Sequence, residues 1–143
     1  MDLKGKTVVV VGGGSGIGKA IAGQAIKAGA NVIISSRDGA KLKATIADLG
    51  AGEDVRVDMT DPASVTNWAD ALPLIDHLVI SASSAAHGLF ADLPETDLRR
   101  MFDAKFFGPY AIAKAAVGKI RSGGSITLFS GVLSRRPGMN CSG

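Results

Sequence analysis

The sequence of 143 residues has little cysteine and histidine, and each shortage excludes a class of protein. Cys141 is the single cysteine, so we expect neither a disulfide framework nor a cysteine metal cluster. His77 and His87 have no second ligand at helical or turn spacing, and we expect no metal site. No apolar run approaches the roughly 20 residues that span a bilayer, and the N-terminus lacks a signal-peptide pattern. These absences predict a soluble, cytoplasmic protein without a membrane partner.

Charges of both signs are present, but they are unevenly distributed along the chain. The net charge is +3, whereas residues 99–143 contain a single acid, Asp103, among lysines and arginines. These cations are scattered, and aromatic residues do not alternate with them as they do on nucleic-acid surfaces. We therefore expect no nucleic-acid partner, and a solvated or oligomer-facing helix is the simpler interpretation.

Glycines interrupt an apolar run near the N-terminus. Residues 8–11 are four valines, and they are followed by GGGSGIG at residues 12–18. The valines are typical of a strand buried on both faces. Ile17, Ile21 and Ala25 then predict the apolar face of a helix. A glycine-rich turn that opens a helix presents unpaired N–H groups and the positive dipole end, which favour a phosphate.

Spacing distinguishes three phosphate-binding motifs in this turn. The dinucleotide fingerprint G-x-G-x-x-G fails in every register, and with Gly12 and Gly14 as its first two glycines it would require glycine at Ile17. The P-loop pattern has Gly13, Gly18 and Lys19 in place. However, Ala20 stands where a serine or threonine hydroxyl should reach Mg²⁺.

The spacing that holds is G-x-x-x-G-x-G over residues 12–18. It resembles the glycine motif of the short-chain dehydrogenase/reductase family, with Val11 where that family often has threonine. The resemblance covers essentially all of residues 1–143, which would be a dinucleotide-binding Rossmann domain forming the N-terminal part of a longer single domain. It implies that the cofactor is held by Gly12, Gly14, Ser15, Gly16, Ile17 and Gly18.

The remaining chain alternates strands and helices, which predicts an α/β fold. We expect strands at residues 7–12, 31–36, 54–57, 75–81 and 125–130. Helices should cover residues 16–28 and 95–121, the latter kinked at Pro109, and should follow the caps Asp38 and Asp61. This order predicts a doubly wound, Rossmann-like parallel sheet in the order 3-2-1-4-5, truncated after the fifth strand, with ligands at its carboxyl edge.

Residues after the second and third strands indicate which cofactor binds. NAD-binding domains place a carboxylate after the second strand, whereas Ser36 and Arg37 stand there in this chain. A guanidinium and a hydroxyl fit a 2′-phosphate, which favours NADP (NADPH) over NAD unless Asp38 supplies the acid. By resemblance, Asp58 after the third strand hydrogen-bonds the adenine. A solvated turn aspartate is the alternative for Asp58.

The resemblance weakens towards the catalytic centre. The fourth strand of family members ends in Asn-Asn-Ala-Gly, whose backbone lines the nicotinamide, and here Ser81 and Ala82 lie in that segment. Lys105 stands where the family has an asparagine that helps to hold a proton-relay water. Lys105 is therefore a candidate catalytic residue, and a surface cation is the alternative.

The serine and the Tyr-x-x-x-Lys pair of the family are not in place. Ser130 and Gly131 replace its Ser-Ser after the fifth strand, so Ser130 or Ser134 would have to act instead of the missing second serine. The tyrosine would follow just beyond residue 143. Tyr110 and Lys114 have the right spacing, but they precede the fifth strand, where the family has a core and interface helix.

Three functions remain open. The first is an NADP-dependent oxidoreductase that moves hydride between the nicotinamide and a small-molecule carbonyl or alcohol. The second is a catalytically degenerate dinucleotide-binding module that acts as a sensor or scaffold, and the third is a P-loop-like nucleotide hydrolase. Since an uncovered fifth strand would be an exposed edge, we also expect either a fragment or a homo-oligomer.

Overall fold

The computed structural model describes residues 2–82, 89 and 91–131. Within these residues a parallel sheet has the order β3-β2-β1-β4-β5, which confirms the predicted doubly wound topology. Its strands are β1 Thr7–Val11, β2 Asn31–Ser35, β3 Glu53–Asp54, β4 Ile75–Ile80 and β5 Ile120–Leu128. The helices are α1 Gly16–Lys27, α2 Gly39–Leu49, α3 Pro62–Ala71, α4 Glu95–Phe102 and α5 Gly108–Ala116. None of these described helices is both long and apolar enough to cross a membrane.

The sheet is buried on both faces, as the four consecutive valines predict. Val9 belongs to one buried cluster, together with Trp68 of α3 and Ile112 of α5. Val10 belongs to the cluster on the other face, together with Leu42 of α2. Successive side chains of a strand point to opposite faces, so a continuous apolar run supplies both cores.

Trp68 joins α3 to the end of β2. Its ring is buried, and its Nε1 donates a hydrogen bond of 2.9 Å to the buried hydroxyl of Ser35. A buried indole N–H without a partner would be costly, so this bond fixes the ring in one orientation. The indole is thereby attached to the residue that precedes Ser36.

Helix α1 buries only part of the predicted apolar face, since Ala25 is buried and Ile21 packs against the core. Gly18, Ala22 and Ala25 are its buried residues, whereas Ile17 is 62% exposed. A Cβ on Gly18 would collide with the carbonyl oxygen of Gly12, so glycine lets the helix begin in backbone contact with the turn. Small side chains therefore face the sheet, and Ile17 of the predicted apolar face lies outside the core.

The predicted helix over residues 95–121 is divided into two. Between α4 and α5 lies a π-helical turn, Asp103–Phe107, in which the N–H of Gly108 bonds to the carbonyl of Asp103. Pro109 follows and has no N–H to donate to the carbonyl four residues back. The wider turn accommodates this missing donor and replaces the expected simple kink. After α5, a 3₁₀ turn, Val117–Lys119, leads directly into β5.

Strand β5 begins at Ile120 rather than at Ser125. Its pairing with β4 passes from Ile120 to Ser125 across a break in register, so residues 121–124 lie opposite Asp76 alone. Gly123 has a φ of +82°, in the left-handed region that glycine tolerates best. Residues 121–124, at and just beyond the predicted end of the long helix, instead form a bulge within the strand.

Strand β3 is shorter than the predicted residues 54–57. The N–H groups of Val55 and Val57 nevertheless bond to the carbonyls of Ile34 and Ser36, each at 3.0 Å. The segment therefore continues beside β2 beyond the regular ladder. This contact brings the residues after β3 close to those after β2.

Strand β5 lies at an edge of the described sheet, as expected. Its side chain Leu128 is 60% exposed, and Phe129 just beyond it is 49% exposed. The homo-oligomer that would cover this edge stays a prediction.

Asp76 connects three strands at the amino edge of the sheet. The N–H of Thr7 donates to its carboxylate at 2.8 Å, and Arg121 donates to it at 3.0 Å. The ammonium of Lys6 lies 3.5 Å from the second carboxylate oxygen. The bond from Thr7, followed by the charges of Lys6 and Arg121, lowers the pKa of Asp76 below the usual carboxyl value.

We expect this carboxylate to make stability depend on acid pH. A lowered folded-state pKa contributes stability above the unfolded value of about 3.9, and that stability is lost as the pH falls through the folded-state pKa. The free energy of unfolding of the wild type, measured with urea, should therefore fall below about pH 4. Asp76→Asn should be less stable at pH 7 and should lose much of this acid dependence. Asp70→Asn, on the exposed side of α3, is the control, and equal behaviour of the two variants would contradict the assignment.

Candidate functional site

Three backbone segments meet where β1 turns into α1. Gly12 has a φ of +89°, and a Cβ there would lie 2.5 Å from the amide nitrogen of Ala82. A Cβ on Gly18 would lie 2.5 Å from the Oγ of Ser81, besides striking the Gly12 carbonyl. The hydroxyl of Ser81 donates to the carbonyl of Val11 at 3.2 Å. These contacts place the turn against the end of β4, at the topological switch point of the sheet.

The first turn of α1 is open towards an anion. Ser15 is the extended N-cap residue, and its side chain caps none of the helix amides. Gly16 has a φ of +53°, and no atom of the described residues lies within 4 Å of the Cβ it lacks. Behind the turn, the hydroxyl of Thr45 donates to the carbonyl of Gly14 at 3.1 Å. The geometry therefore leaves the amides and positive dipole end of α1 available to a phosphate.

Lys19 is engaged elsewhere. A P-loop would place this ammonium on a nucleotide phosphate, but here it forms an ion pair with Asp48 of α2. The hydrogen bond from Lys19, together with its charge, lowers the pKa of Asp48. Because Ala20 also removes the metal-binding hydroxyl, the P-loop interpretation is not favoured.

The residues after β2 lie beside the glycine turn. The Oγ of Ser36 is 3.6 Å from the position that a Cβ on Gly14 would occupy. Asp38 accepts a hydrogen bond of 3.0 Å from the N–H of Lys41 and thereby caps α2, as predicted. This engagement as a cap makes Asp38 a poor candidate for the ribose-binding acid. Arg37 remains as an exposed cation at this edge.

Asp58 lies at the neighbouring strand end. The amide and hydroxyl of Thr60 donate to its carboxylate at 2.9 and 2.7 Å, and these bonds are the main reason that its pKa is lowered. Smaller contributions come from the charges of Arg37 and Arg56. The Nε of Arg56 donates to the carbonyl of Arg37 at 2.8 Å. Sequence reasoning missed Arg56, although its position two residues before Asp58 was a usable signal.

A cleft of about 610 Å³ opens beside the ends of β4 and β5. The predicted site residues that line it are Ile17, Ser81, Ala82, Lys105 and Ser130. Lys105 reaches it from the π-helical turn, and most of the surrounding wall is apolar. The described lining includes no acidic side chain, so the Lys105 ammonium has no carboxylate beside it in the cleft.

Tyr110 also lines this cleft, whereas Lys114 is not among its described lining residues. Tyr110 and Lys114 have the spacing of the family's catalytic pair, but the two side chains do not line this cleft together. Tyr110 is 58% exposed, so its ring is not part of the core of this chain.

The part of the chain that the structure describes groups no side chains for a metal centre. The Nδ1 of His77 is 2.9 Å from the hydroxyl of Ser125 across the β4–β5 ladder. In residues 2–82, 89 and 91–131 no three histidine, cysteine or acidic side chains are grouped for a metal. His87, Ser134 and Cys141 lie outside the described residues.

A doubly wound sheet with a glycine turn and an open helix N-terminus at its switch point is the architecture of a Rossmann domain. A family model described as short chain dehydrogenase matches residues 6–142. The chain therefore belongs to the short-chain dehydrogenase/reductase family of NAD(P)H-dependent oxidoreductases. This assignment confirms the resemblance seen in the glycine motif.

Individual relatives agree with this assignment. The hydroxynaphthalene reductase-like protein Arp2 of Metarhizium guizhouense is 30% identical, over 96% of this chain and 55% of that protein. A short-chain type dehydrogenase/reductase from Mycobacterium ulcerans has a TM-score of 0.87 at 26% identity, over 94% of this chain and 54% of that one. A blue fluorescent protein from a metagenomic library, solved in complex with NADPH, shares the fold with a TM-score of 0.87 at 24% identity. The match covers 99% of this chain and 62% of that one. The chain spans about half or less of the length of the curated relatives it matches.

Gly18→Ala should disrupt dinucleotide binding. The added Cβ collides with a backbone oxygen that cannot rotate away, so the start of α1 must shift. We expect the Kd for the nicotinamide dinucleotide to rise at least about tenfold, which is about 1.4 kcal/mol. Isothermal titration calorimetry measures this, and circular dichroism checks that the variant is folded. Gly118→Ala is the control, because its Cβ would meet nothing within 4 Å among the described residues. Unchanged affinity in Gly18→Ala would contradict the site.

Proposed function

We propose that this chain forms the cofactor-binding part of an NADP-dependent oxidoreductase acting on a small-molecule carbonyl or alcohol. The observation that carries the proposal is the pair Ser36 and Arg37 beside the glycine turn, with the nearby carboxylate of Asp38 engaged as a helix cap. A guanidinium recognises a phosphate through paired, charge-assisted hydrogen bonds. The NADPH complex of the blue fluorescent protein supports the proposal at the level of the fold.

Different groups of described residues are suited to bind different parts of the cofactor. Residues 14–18 would hold the pyrophosphate on the amides at the start of α1. Ser36 and Arg37 would hold the ribose 2′-phosphate, and Asp58 would accept a hydrogen bond from the adenine. The position of Gly12 admits only glycine, because the backbone of Ala82 leaves no room for a Cβ. Ser81, Ala82 and Ile17 line the cleft that would receive the nicotinamide.

When bound, the cofactor supplies or accepts the hydride at its nicotinamide ring. Around it, Ile17 and Ala82 contribute an apolar wall that keeps water from the reacting carbon. Ser130 lines the same cleft and can donate its hydroxyl hydrogen to the substrate oxygen. Lys105 supplies positive charge where negative charge develops on that oxygen during carbonyl reduction.

A catalytically degenerate binding module is the second candidate. Gly131 has no hydroxyl at the position where the family resemblance expects the second serine, and this observation favours loss of chemistry. Such a module would bind the dinucleotide without turnover. A nucleotide hydrolase is not proposed, because Lys19 is engaged with Asp48.

Two measurements test the proposal. Calorimetric titration with NADPH, NADH and Mg-ATP should give the tightest binding for NADPH. Oxidation of NADPH, followed at 340 nm with a panel of ketones, then distinguishes the enzyme from the degenerate module. Tighter binding of NADH would overturn the cofactor assignment, and binding without turnover on any ketone would favour the module.

Arg37→Ala should reduce the preference for NADPH. A charge-assisted hydrogen bond contributes about 1.5–3 kcal/mol, so we expect a Kd for NADPH that is about 10- to 100-fold higher. The Kd for NADH should stay within about twofold, because NADH has no 2′-phosphate. Arg100→Ala on α4 removes the same charge outside the site and serves as the control. Equal loss of both dinucleotides in Arg37→Ala would assign Arg37 a structural role instead.

Ser130→Ala and Lys105→Met should each lower kcat for ketone reduction about 10- to 100-fold. Because both side chains are proposed to act on the substrate oxygen, the Kd for NADPH should change by less than about twofold. Lys114→Met is the matched control, since this exposed lysine of α5 is not among the cleft's lining residues. A kcat equal to that of the wild type in either variant would remove that residue from the mechanism.

A further inference from the structure

Arg56 joins the segments that follow β2 and β3. It precedes Val57, whose side chain is 1% exposed in the core, while Arg56 itself is exposed. Its Nε donates to the carbonyl of Arg37 at 2.8 Å. Such a bond uses one of the five N–H groups of a guanidinium and leaves the two terminal nitrogens available. Arg56 is thus anchored to the backbone of the very residue proposed to read the 2′-phosphate.

The two guanidiniums carry positive charge at one place. Both lower the pKa of Asp58, which shows that both lie within electrostatic reach of the same carboxylate. That carboxylate already accepts two hydrogen bonds from Thr60. Neither Arg37 nor Arg56 forms an ion pair with an acidic side chain of the described residues. Two cations that share one nearby carboxylate leave a net positive charge, which favours an additional anion at this edge.

We propose that Arg56 is a second specificity-determining guanidinium for the phosphate monoester on the ribose 2′-oxygen. Its Nε holds the Arg37 peptide in position, and its terminal nitrogens add a second positive charge facing the dianion. The inference rests on the proposed NADP dependence and adds to it a residue from a different strand end. Arg56 therefore acts on selectivity between NADPH and NADH and has no part in the hydride transfer.

Binding of four ligands to Arg56→Gln tests this role. Calorimetry gives the Kd of the wild type and the variant for NADPH, NADH, adenosine 2′-monophosphate and adenosine 5′-monophosphate. In Arg56→Gln the Kd for NADPH and for the 2′-monophosphate should rise about tenfold. The Kd for NADH and for the 5′-monophosphate should stay within about twofold. Arg56→Lys, which keeps the charge but loses the planar donor, should give an intermediate loss of about threefold.

The controls separate this inference from the proposed function. Arg100→Gln removes an equal charge on α4 and should leave all four constants unchanged. If the wild type prefers NADPH and Arg56→Gln retains that preference, the inference is wrong and the proposed cofactor stands. A parallel loss for all four ligands would identify Arg56 as merely structural. A wild type that binds NADH more tightly would overturn both proposals.

Discussion

The backbone contact between the glycine turn and the end of β4 is the constraint on which the site depends. Gly12 approaches Ala82, and Gly18 approaches the carbonyl of Gly12, so closely that no Cβ fits at either glycine. Side chains at these positions would force α1 away from the sheet and turn its amides from the cleft. The same contact explains why the small residues of α1 are buried while Ile17 faces outward. One steric requirement thus determines both the packing of the first helix and the position of the amides proposed to bind a phosphate.

Much of this arrangement could be predicted from local patterns. Four valines, a glycine cluster and the caps Asp38 and Asp61 each act within a few residues, so the strand order and most helix starts followed from the sequence. The division of the long helix depends on a π-helical turn before Pro109, and the bulge near Asp76 depends on pairing between β4 and β5. These features arise from tertiary contacts that periodicity does not encode.

The candidate site shows the same division. The glycines, Ser36 and Arg37 were identifiable because their chemistry follows directly from a strand end. Arg56 was missed because its contact with Arg37 spans 19 residues and needs the two strand ends side by side. Lys105 was recognised as a departure from the family pattern, but its position in the cleft required the folded π-helical turn. Local chemistry was thus readable in the sequence, whereas convergence of distant segments was not.

The bond between Trp68 and Ser35 has a practical consequence. Residues 1–143 contain one tryptophan, so any indole emission from this chain comes from a single ring in the core. That ring is attached to the residue directly before Ser36. A dinucleotide held at Ser36, as proposed, would change the electric field around the indole through this short covalent and hydrogen-bonded path. The single tryptophan would then report on the proposed site by its own fluorescence, without an external dye.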